Sequence, residues 1–245
     1  MTNPAVEFNN VSKRYFIGER SIRTLRDDLS RWIGRLLNKG IESQKELWAL
    51  KEVNFRIKTG ESAGLIGANG SGKTTIFKLI SRISLPTQGK VKVNGKVGSL
   101  IDLNAGFHPE LTGLENIYLN AAIRGMRRRD IKKKLEEILD FSEIERFKDT
   151  PVKHYSAGMK VRLGFAVAVS CPFDILLVDE VLAVGDVSFQ KKCLERIAEL
   201  KKESKTILFV SHDMDKVRQV CPRAICLSQG KVISDGGIDS MPGIC

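Results

Sequence analysis

The sequence predicts an α/β fold in which a mostly parallel sheet is interrupted by a helical insertion. Two short apolar strand candidates, Ile175–Val178 and Ile207–Val210, flank a helical stretch over Phe189–Leu200. A third strand candidate, Ala63–Ile66, runs directly into a glycine-rich loop and a helix. Because strands that alternate with helices pair in parallel, these three are expected to share one sheet.

The bulk composition is that of an ordinary globular chain. Its 245 residues can bury one good-sized core, or a large lobe with a smaller one. Hydrophobic residues make up 42% and charged residues 28%, which argues against disorder. The net charge of +11 suits three kinds of partner: nucleic acid, an anionic membrane surface, or acidic small molecules such as nucleotides.

No segment has the roughly 18 consecutive apolar residues that a membrane span requires. The most apolar tract, Ile175–Val184, contains Asp179 and Glu180. The N-terminus also lacks the basic and apolar segments of a signal peptide, so the chain is expected to stay in the cytosol.

Two strand candidates in the N-terminal part, Val6–Phe8 and Val53–Ile57, alternate in hydrophobicity and are separated by a long insert, residues 17–48. The insert carries apolar residues at helical spacing over 22–37, with arginines on the other faces. This helix either packs on its own domain or lies as a basic amphipathic helix against a membrane or a membrane partner.

The helical stretches are predicted over Thr74–Ile83 and over most of Glu115–Val169, with one helix beginning at Asp130, a good cap residue. The remaining predicted strands are Lys90–Val93, Lys96–Ile101, Ala224–Leu227 and Lys231–Ile233, the first two separated by an Asn94-Gly95 turn.

The strongest motif is Gly67–Thr74, which fits G-x-x-x-x-G-K-[ST] and has the strand before it and the helix after it that a phosphate-binding loop requires. Its glycines let several backbone N–H groups point at one phosphate, and the helix adds its positive N-terminal end. Lys73 can bridge the outer phosphates, and the Thr74 hydroxyl can bind Mg²⁺. The alternative is a flexible glycine turn. The predicted nucleotide contacts of this loop are Gly67, Asn69, Gly70, Ser71, Gly72, Lys73, Thr74 and Thr75.

Two adjacent carboxylates, Asp179 and Glu180, follow the strand Ile175–Val178. Ligands of parallel sheets bind at the carboxyl ends of the strands, which places both acids near the phosphate loop. Asp179 would help to hold Mg²⁺, and Glu180 would polarise the attacking water; the alternative is two acids that cap the next turn.

A third motif, Tyr155–Met159, precedes an apolar run and predicts a second helix start suited to an anion. Ser156 is a good N-cap, and Gly158, next to Ala157, allows close backbone approach. One nucleotide needs only one such phosphate-binding helix start. The presence of a second one favours a homodimer with ATP bound at the interface between the two subunits. The alternative is a capped core helix.

A histidine, His212, ends the strand Ile207–Val210, which is expected to lie parallel to the strand that carries Asp179. Its side chain could bind the terminal phosphate and sense its presence. The alternative is a polar residue without a catalytic role.

Taken together and in this order, the motifs resemble the ABC-transporter ATPase family from about Val6 to Ser234. The resemblance implies a P-loop NTPase fold with a RecA-like lobe, an antiparallel β-subdomain and an inserted helical subdomain. It also implies a head-to-tail dimer that closes on two molecules of ATP with Mg²⁺. Tyr15 falls where the family places an aromatic residue that stacks on adenine, and Asp186 falls in the loop that faces the partner subunit.

The resemblance divides the chain as follows: a single ATPase domain over 1–245, a RecA-like and β lobe over 1–103 and 169–235, a helical lobe over 104–168, the amphipathic insert at 17–48, and a short tail at 236–245 without a carbohydrate-binding domain.

A narrower resemblance points to the ATPase subunits of O-antigen, teichoic-acid and capsule exporters. It rests on Gly106–Ile117, Tyr155–Met159, Val184–Cys193 and the long insert before Trp48. It implies a peripheral subunit on the cytoplasmic face of the inner membrane that drives lipid-linked polysaccharide across with a separate membrane-spanning permease. The helix at 22–37 would be a further membrane contact.

This chain departs from the family pattern in two motifs that bear on mechanism. Ala157 and Met159 stand where glycine and glutamine are common. No glutamine occurs near 100–106, where Leu103 or Asn104 takes the place of the residue that links Mg²⁺ to the membrane subunit.

Three other functions are compatible with parts of the sequence. One is an ABC ATPase of another transporter. Another is an ABC ATPase acting on nucleic acid or ribosomes through the basic run Arg127–Lys134, which is otherwise the solvated face of a helix. A phosphate-loop kinase is the third, and it would have no need of Tyr155–Met159 or His212.

Overall fold

A computed structural model of the chain describes residues 3–17, 45–101, 103, 105–179, 186–210 and 214–241. The predicted amphipathic helix at 22–37, together with Asn104, Glu180 and His212, lies outside these ranges.

The fold is α/β, as the sequence predicts. Its described strands are β1 (Val6–Ile17), β2 (Lys45–Ile57), β3 (Ser62–Ile66), β4 (Gln88–Val93), β5 (Val97–Ser99), β6 (Ile175–Val178), β7 (Thr206–Val210), β8 (Arg223–Ser228) and β9 (Lys231–Gly237). The described helices are α1 (Lys73–Ile80), α2 (Gly113–Ile123), α3 (Arg128–Ser142), α4 (Ala157–Ser170), α5 (Val187–Lys202) and α6 (Met214–Val220).

The main sheet has six described strands in the order β5-β6-β7-β3-β8-β9. The first five run parallel and β9 is antiparallel to β8. Every residue of β3, β6 and β7 is buried, as expected for strands that are covered on both faces. The carboxyl ends of these three neighbouring strands therefore lie side by side at one edge of the sheet.

A smaller antiparallel sheet has the order β2-β1-β4. Strands β1 and β2 pair as far as Ile17 opposite Lys45, so residues 45–48, which the sequence analysis assigned to the insert, belong to a strand. The apolar face of this sheet packs with α1 against one face of the main sheet, in a cluster that includes Phe8, Phe55 and Phe77. Helices α4, α5 and α6 cover the opposite face.

Three local predictions are wrong, each because of a contact distant in the sequence or a local backbone preference. The Asn94-Gly95 turn does not close a hairpin: β4 pairs with β1, whereas β5 pairs with β6, and Asp174 accepts a hydrogen bond from the Lys96 N–H at 2.8 Å. The turn therefore joins two sheets.

The two other differences concern helix ends. Helix α1 stops at Ile80 rather than at residue 83, since Arg82 has a left-handed backbone with φ of 58°. Helix α3 starts at Arg128 with Arg127 as its N-cap residue, so Asp130 lies in the first turn and is not the cap.

Helices α2, α3 and α4 enclose a third apolar cluster, centred on Ile117, Ile138 and Leu163. The cluster reaches the main sheet through α4, whose Gly164 lies against Leu103. A Cβ atom on Gly164 would lie 2.2 Å from the Leu103 carbonyl oxygen, so only glycine permits this approach. Leu103 itself is a buried core residue, 3% exposed.

Replacing Gly164 with alanine is expected to destabilise the protein although alanine is the better helix former. The helix-propensity gain of about 1 kcal/mol is smaller than the overpacking cost of about 1–3 kcal/mol, because the obstructing atom belongs to the backbone. Denaturant unfolding should show a net loss of stability. Gly236→Ala, which meets nothing closer than 3.8 Å, is the control; equal unfolding midpoints for the two variants would contradict the prediction.

Candidate nucleotide-binding site

The glycine-rich loop lies at the carboxyl end of the central strand β3 and leads into α1. Two of its glycines have backbone conformations and neighbours that exclude other residues. Gly67 has φ of 142°, and a Cβ atom there would lie 2.2 Å from the Leu227 carbonyl oxygen. Gly72 has φ of 113°, and its Cβ would lie 2.8 Å from the Ala49 carbonyl oxygen. The loop is thus held between β8, through Leu227, and β2, through Ala49.

Lys73 is the first residue of α1 and is buried, at 8% exposure. Its ammonium group donates hydrogen bonds to the carbonyl oxygens of Gly67 at 2.6 Å and Ala68 at 3.0 Å. The loop therefore encloses a positive charge beside the N-terminal end of a helix, which is the arrangement that binds phosphate groups.

A cleft of about 460 Å³ opens beside this loop. Its described lining residues are Asn69, Gly70, Gly72, Lys73, Thr74 and Thr75 of the loop and α1, Tyr15, Leu47, Trp48 and Ala49 of the β1–β2 hairpin, and Asp179 and Val210 at the ends of β6 and β7. The cleft thus has a polar, cationic end and an aromatic end, as the two halves of a nucleotide require.

Tyr15 supplies part of the aromatic end. It pairs with Leu47 across the hairpin, and the Lys13 ammonium group lies 5.1 Å from its ring centroid. The structure places Tyr15 in the same cleft as the phosphate loop, where an adenine ring could lie against it. Trp48, which was not selected from the sequence, lines the same end of the cleft. Nothing in the sequence near residue 48 shows that this strand lies beside the phosphate loop.

The predicted loop residues divide into two groups. Asn69, Gly70, Gly72, Lys73 and Thr74 face the cleft, and so does Thr75. Gly67 and Ser71 are absent from the described lining. Ser71 is 4% exposed, and its carbonyl oxygen accepts a hydrogen bond from the Gly230 N–H at 3.0 Å, so this residue supports the loop from below.

Of the two adjacent acidic candidates, the one among the described residues, Asp179, lies where a parallel strand ends. Asp179 immediately follows β6 and shares the cleft with Lys73 and Thr74, so a metal ion bound to the phosphates could be held between Asp179 and the Thr74 hydroxyl. A cradle of backbone N–H groups with a hydroxyl and a carboxylate beside it fits a Mg²⁺–nucleotide complex. In the sequence, Glu180 follows Asp179 and His212 stands two residues after Val210. Both residues lie outside the described part of the chain.

The second helix start begins at Ser156, the N-cap residue of α4. Its hydroxyl oxygen accepts a hydrogen bond from the Met159 N–H at 3.1 Å, as expected for a capping serine. Ser156 and Ala157 are exposed, and a Cβ atom on Gly158 would meet only the Ser156 hydroxyl, at 3.8 Å. None of these three residues is in the described lining of the cleft. This helix start is therefore accessible at the surface and is separate from the described lining of the cleft.

Asp186 caps helix α5 and also contacts α4. Its carboxylate accepts hydrogen bonds from the Ser188 hydroxyl at 2.5 Å and the Phe189 N–H at 2.9 Å, and it pairs with the Arg162 guanidinium. The Ser188 hydroxyl, the Phe189 N–H and Arg162 together lower the pKa of Asp186 to about 2. Asp186 is thereby tied to the helix that begins at Ser156.

Arg162 is a residue that sequence reasoning missed. It also pairs with Glu143 after the end of α3, and its guanidinium lies 5.2 Å from the centre of the Phe189 ring. Arg162, itself on α4, thus connects the end of α3 with the start of α5. Its only sequence signal is a charged residue inside the apolar run Val161–Val169.

The segment after β5, where the resemblance places a glutamine, is bound to the helical lobe by two polar side chains. Asn120 donates to the Ala105 carbonyl oxygen at 2.9 Å, and Arg124 donates to the Ser99 carbonyl oxygen at 3.3 Å and to the Asn120 side chain at 2.8 Å. Burial of Arg124 lowers the pKa of its guanidinium. These bonds connect α2 with β5 although Leu103 is directed into the core.

These features define a P-loop nucleotide-binding protein. The sheet is mostly parallel, the phosphate loop follows β3, and the carboxylate of Asp179 follows β6, two strands away. The comparisons narrow this class. The family model described as ABC transporter matches residues 50–183, more than half of the chain. The chain belongs to the ABC-transporter ATP-binding family, whose members bind ATP.

Relatives match over nearly the whole chain. The O-antigen export system ATP-binding protein RfbB of Klebsiella pneumoniae is 41% identical over 236 residues, which is 96% of this chain and 95% of the relative. The teichoic acids export ATP-binding protein TagH of Listeria monocytogenes is 42% identical over 94% of this chain and 66% of the relative.

Among solved structures, the dimeric post-hydrolysis state of the ATP-binding cassette MJ0796 bound to ADP and Pi superimposes with a TM-score of 0.75 and 26% identity, over 96% of this chain and all of that chain. None of the described helices is long and apolar enough to cross a bilayer.

The depressed pKa of Asp186 predicts a pH-dependent contribution to stability. A carboxyl whose pKa is about 2 in the folded protein and about 3.9 in the unfolded chain stabilises the fold at neutral pH. That contribution is lost as the pH falls through this window. Asp186→Asn keeps the cap and removes the charge, so its stability deficit should be full at neutral pH and narrow as the solution is acidified.

Chemical denaturation across this pH range measures the deficit. Asp239→Asn is the matched control, because that side chain is 95% exposed and its carboxylate lies 4.0 Å from the Arg218 guanidinium. A deficit for Asp186→Asn that stays constant from neutral pH to below the folded pKa would contradict the assigned cause.

Proposed function

We propose that this chain is the ATP-hydrolysing subunit of an ABC exporter that moves lipid-linked polysaccharide of the O-antigen, teichoic-acid or capsule type. The observation that carries the proposal is the match of the chain from end to end with an O-antigen export ATP-binding protein, at 41% identity over 96% of one and 95% of the other. A teichoic acids export protein of similar identity supports the same class of cargo.

The proposed substrate is ATP with Mg²⁺, bound in the cleft between the hairpin and the phosphate loop. Tyr15 would stack on the adenine ring, as an aromatic face does on a planar base. Backbone N–H groups of the loop and the Lys73 ammonium would bind the outer phosphates. Thr74 and Asp179 would hold the metal ion, whose charge neutralises the phosphates during hydrolysis.

The second half of the site would come from another copy of the chain. Ser156, Ala157 and Gly158 form an exposed helix start that does not line the cleft of their own chain, and the related cassette MJ0796 is a dimer with bound ADP and Pi. In a head-to-tail dimer this helix end would cover the terminal phosphate held by the partner's loop. Asp186 and Arg162 would position the same surface.

Hydrolysis would use Glu180 to polarise the attacking water and His212 to bind the terminal phosphate. ATP binding would close the two copies and perform work on a membrane-spanning permease, and hydrolysis would reopen them. The chain would therefore be a peripheral subunit at the cytoplasmic face of the membrane. An ABC ATPase that acts on nucleic acid is less well supported, because the relatives described above are named for export.

Glu180→Gln tests the proposal at two levels. Without the base, ATP turnover should fall by about 10²–10⁴-fold while ATP binding is retained, and the protein should accumulate as an ATP-dependent dimer in size-exclusion chromatography. In the source organism, the variant should leave the lipid-linked polysaccharide on the cytoplasmic side of the membrane, as seen by immunolabelling before and after permeabilisation.

Glu195→Gln, an exposed change on α5, is the control for both measurements. Undiminished turnover would contradict the role of Glu180. Lost turnover with normal surface polysaccharide would leave the ATPase assignment in place and refute the proposed cargo.

A further inference from the structure

The start of helix α3 carries positive charges where a helix is least able to accommodate them. Its N-cap residue is Arg127, which makes no side-chain capping bond, and Arg128 and Arg129 follow in the first turn. The N-terminal end of a helix carries a partial positive charge, so acidic residues stabilise it and arginines destabilise it. Asp130 is the only acidic residue of this turn.

The next turn adds two more cations in unfavourable positions. Lys132 and Lys133 stand four residues after Arg128 and Arg129, which makes two like-charged i,i+4 pairs on exposed faces of the helix. Among the described residues, the ion pairs of this region are Arg129 with Asp130 at 3.5 Å and Lys134 with Glu137 at 2.5 Å. Glu136 and Glu137 stand four residues after Lys132 and Lys133 and offset part of their repulsion. The charge that the described ion pairs leave uncompensated is therefore concentrated at Arg127 and Arg128.

An exposed apolar residue lies at the same corner. Ile123 ends helix α2 and is 67% exposed. The connection to α3 is tight, since the Met126 N–H donates to the Ala121 carbonyl oxygen at 2.9 Å. Ile123 and the cations thus form one corner of the helical lobe, the basic corner, defined by Ile123, Arg127, Arg128, Arg129, Lys132 and Lys133.

We propose that the basic corner binds the surface of an anionic phospholipid bilayer. Long basic side chains place their charges among lipid phosphates and their alkyl stems against the acyl region, where an exposed isoleucine also gains by burial. Residues 123–133 contain no aromatic side chain for base stacking, which makes single-stranded nucleic acid a poorer match. Binding to lipid phosphates would offset the repulsion among these cations in the isolated protein.

The inference does not depend on the membrane partner proposed above, because it concerns lipid alone. The test is sedimentation of the full chain with vesicles of phosphatidylcholine, with and without phosphatidylglycerol. Arg128→Glu/Lys132→Glu/Lys133→Glu should weaken binding to the anionic vesicles by about fivefold for each positive charge removed, at least about a hundredfold in total. Lys58→Glu/Lys90→Glu/Lys231→Glu, which changes the net charge equally at exposed positions elsewhere, should bind far better than the first variant.

A second readout distinguishes a binding surface from a folding defect. Because Arg128 lies in the first turn of α3, glutamate there suits the helix dipole, so Arg128→Glu should raise the melting temperature while it weakens vesicle binding. ATPase activity without membranes should match that of the unaltered chain.

Three outcomes would overturn the proposal: equal binding to neutral and anionic vesicles, equal loss in the two triple variants, or binding of a nucleic acid at this corner with no binding to anionic vesicles.

Discussion

The nucleotide site depends on a glycine-rich turn whose backbone conformation and close contacts only glycine permits. Gly67 and Gly72 hold left-handed backbone conformations with the carbonyl oxygens of Leu227 and Ala49 closer than any side chain would allow. These contacts fix the turn between the main sheet and the antiparallel hairpin. They also fix where the Lys73 ammonium lies, because it donates to carbonyl oxygens of the same turn. The cleft follows from this one constraint, since its aromatic end is the hairpin that Gly72 touches.

The helical lobe contains a second helix start, at Ser156, which is proposed above to bind the phosphates held by a partner copy. Ser156 and Gly158 are not in the described lining of the cleft, yet their helix is bound firmly to the rest of the molecule. Gly164 lets α4 approach Leu103, Arg162 pairs with Asp186 at the start of α5, and α2 is tied to the end of β5 through Arg124. The helical lobe is therefore joined both to the start of α5 and to the end of β5.

Much of the fold could be predicted because its main strands are buried on both faces. Ile175–Val178 is a continuous apolar run bounded by charged residues, and the structure has a strand with the same bounds. The phosphate loop could be predicted because its spacing is set by backbone geometry that few sequences satisfy. Tyr15 was placed by resemblance alone; nothing local to residue 15 shows that the hairpin folds beside the loop.

Two features that the sequence did not show depend on partners far along the chain, whereas the wrong helix ends have local causes. The Asn94-Gly95 turn has the composition of a hairpin turn, but the two strands that it connects pair elsewhere: β4 pairs with β1, and β5 pairs with β6. Asp130 has the right residue type for a cap, yet the turn after α2 starts the next helix earlier, at Arg128. Arg162 was missed because its partners Glu143 and Asp186 are distant in sequence.

The central claim is that one nucleotide is held by two copies of the chain, and mixing two inactive variants tests it most directly. Lys73→Ala removes the charge that binds the phosphates, and Gly158→Asp places a carboxylate where the partner's phosphates would lie, at a helix start that tolerates an acid. Each variant alone should lack ATPase activity. An equal mixture should recover activity, because a mixed dimer contains one site with an intact loop and an intact Ser156–Gly158 segment. A mixture as inactive as its components, under conditions in which the subunits exchange, would contradict the shared site.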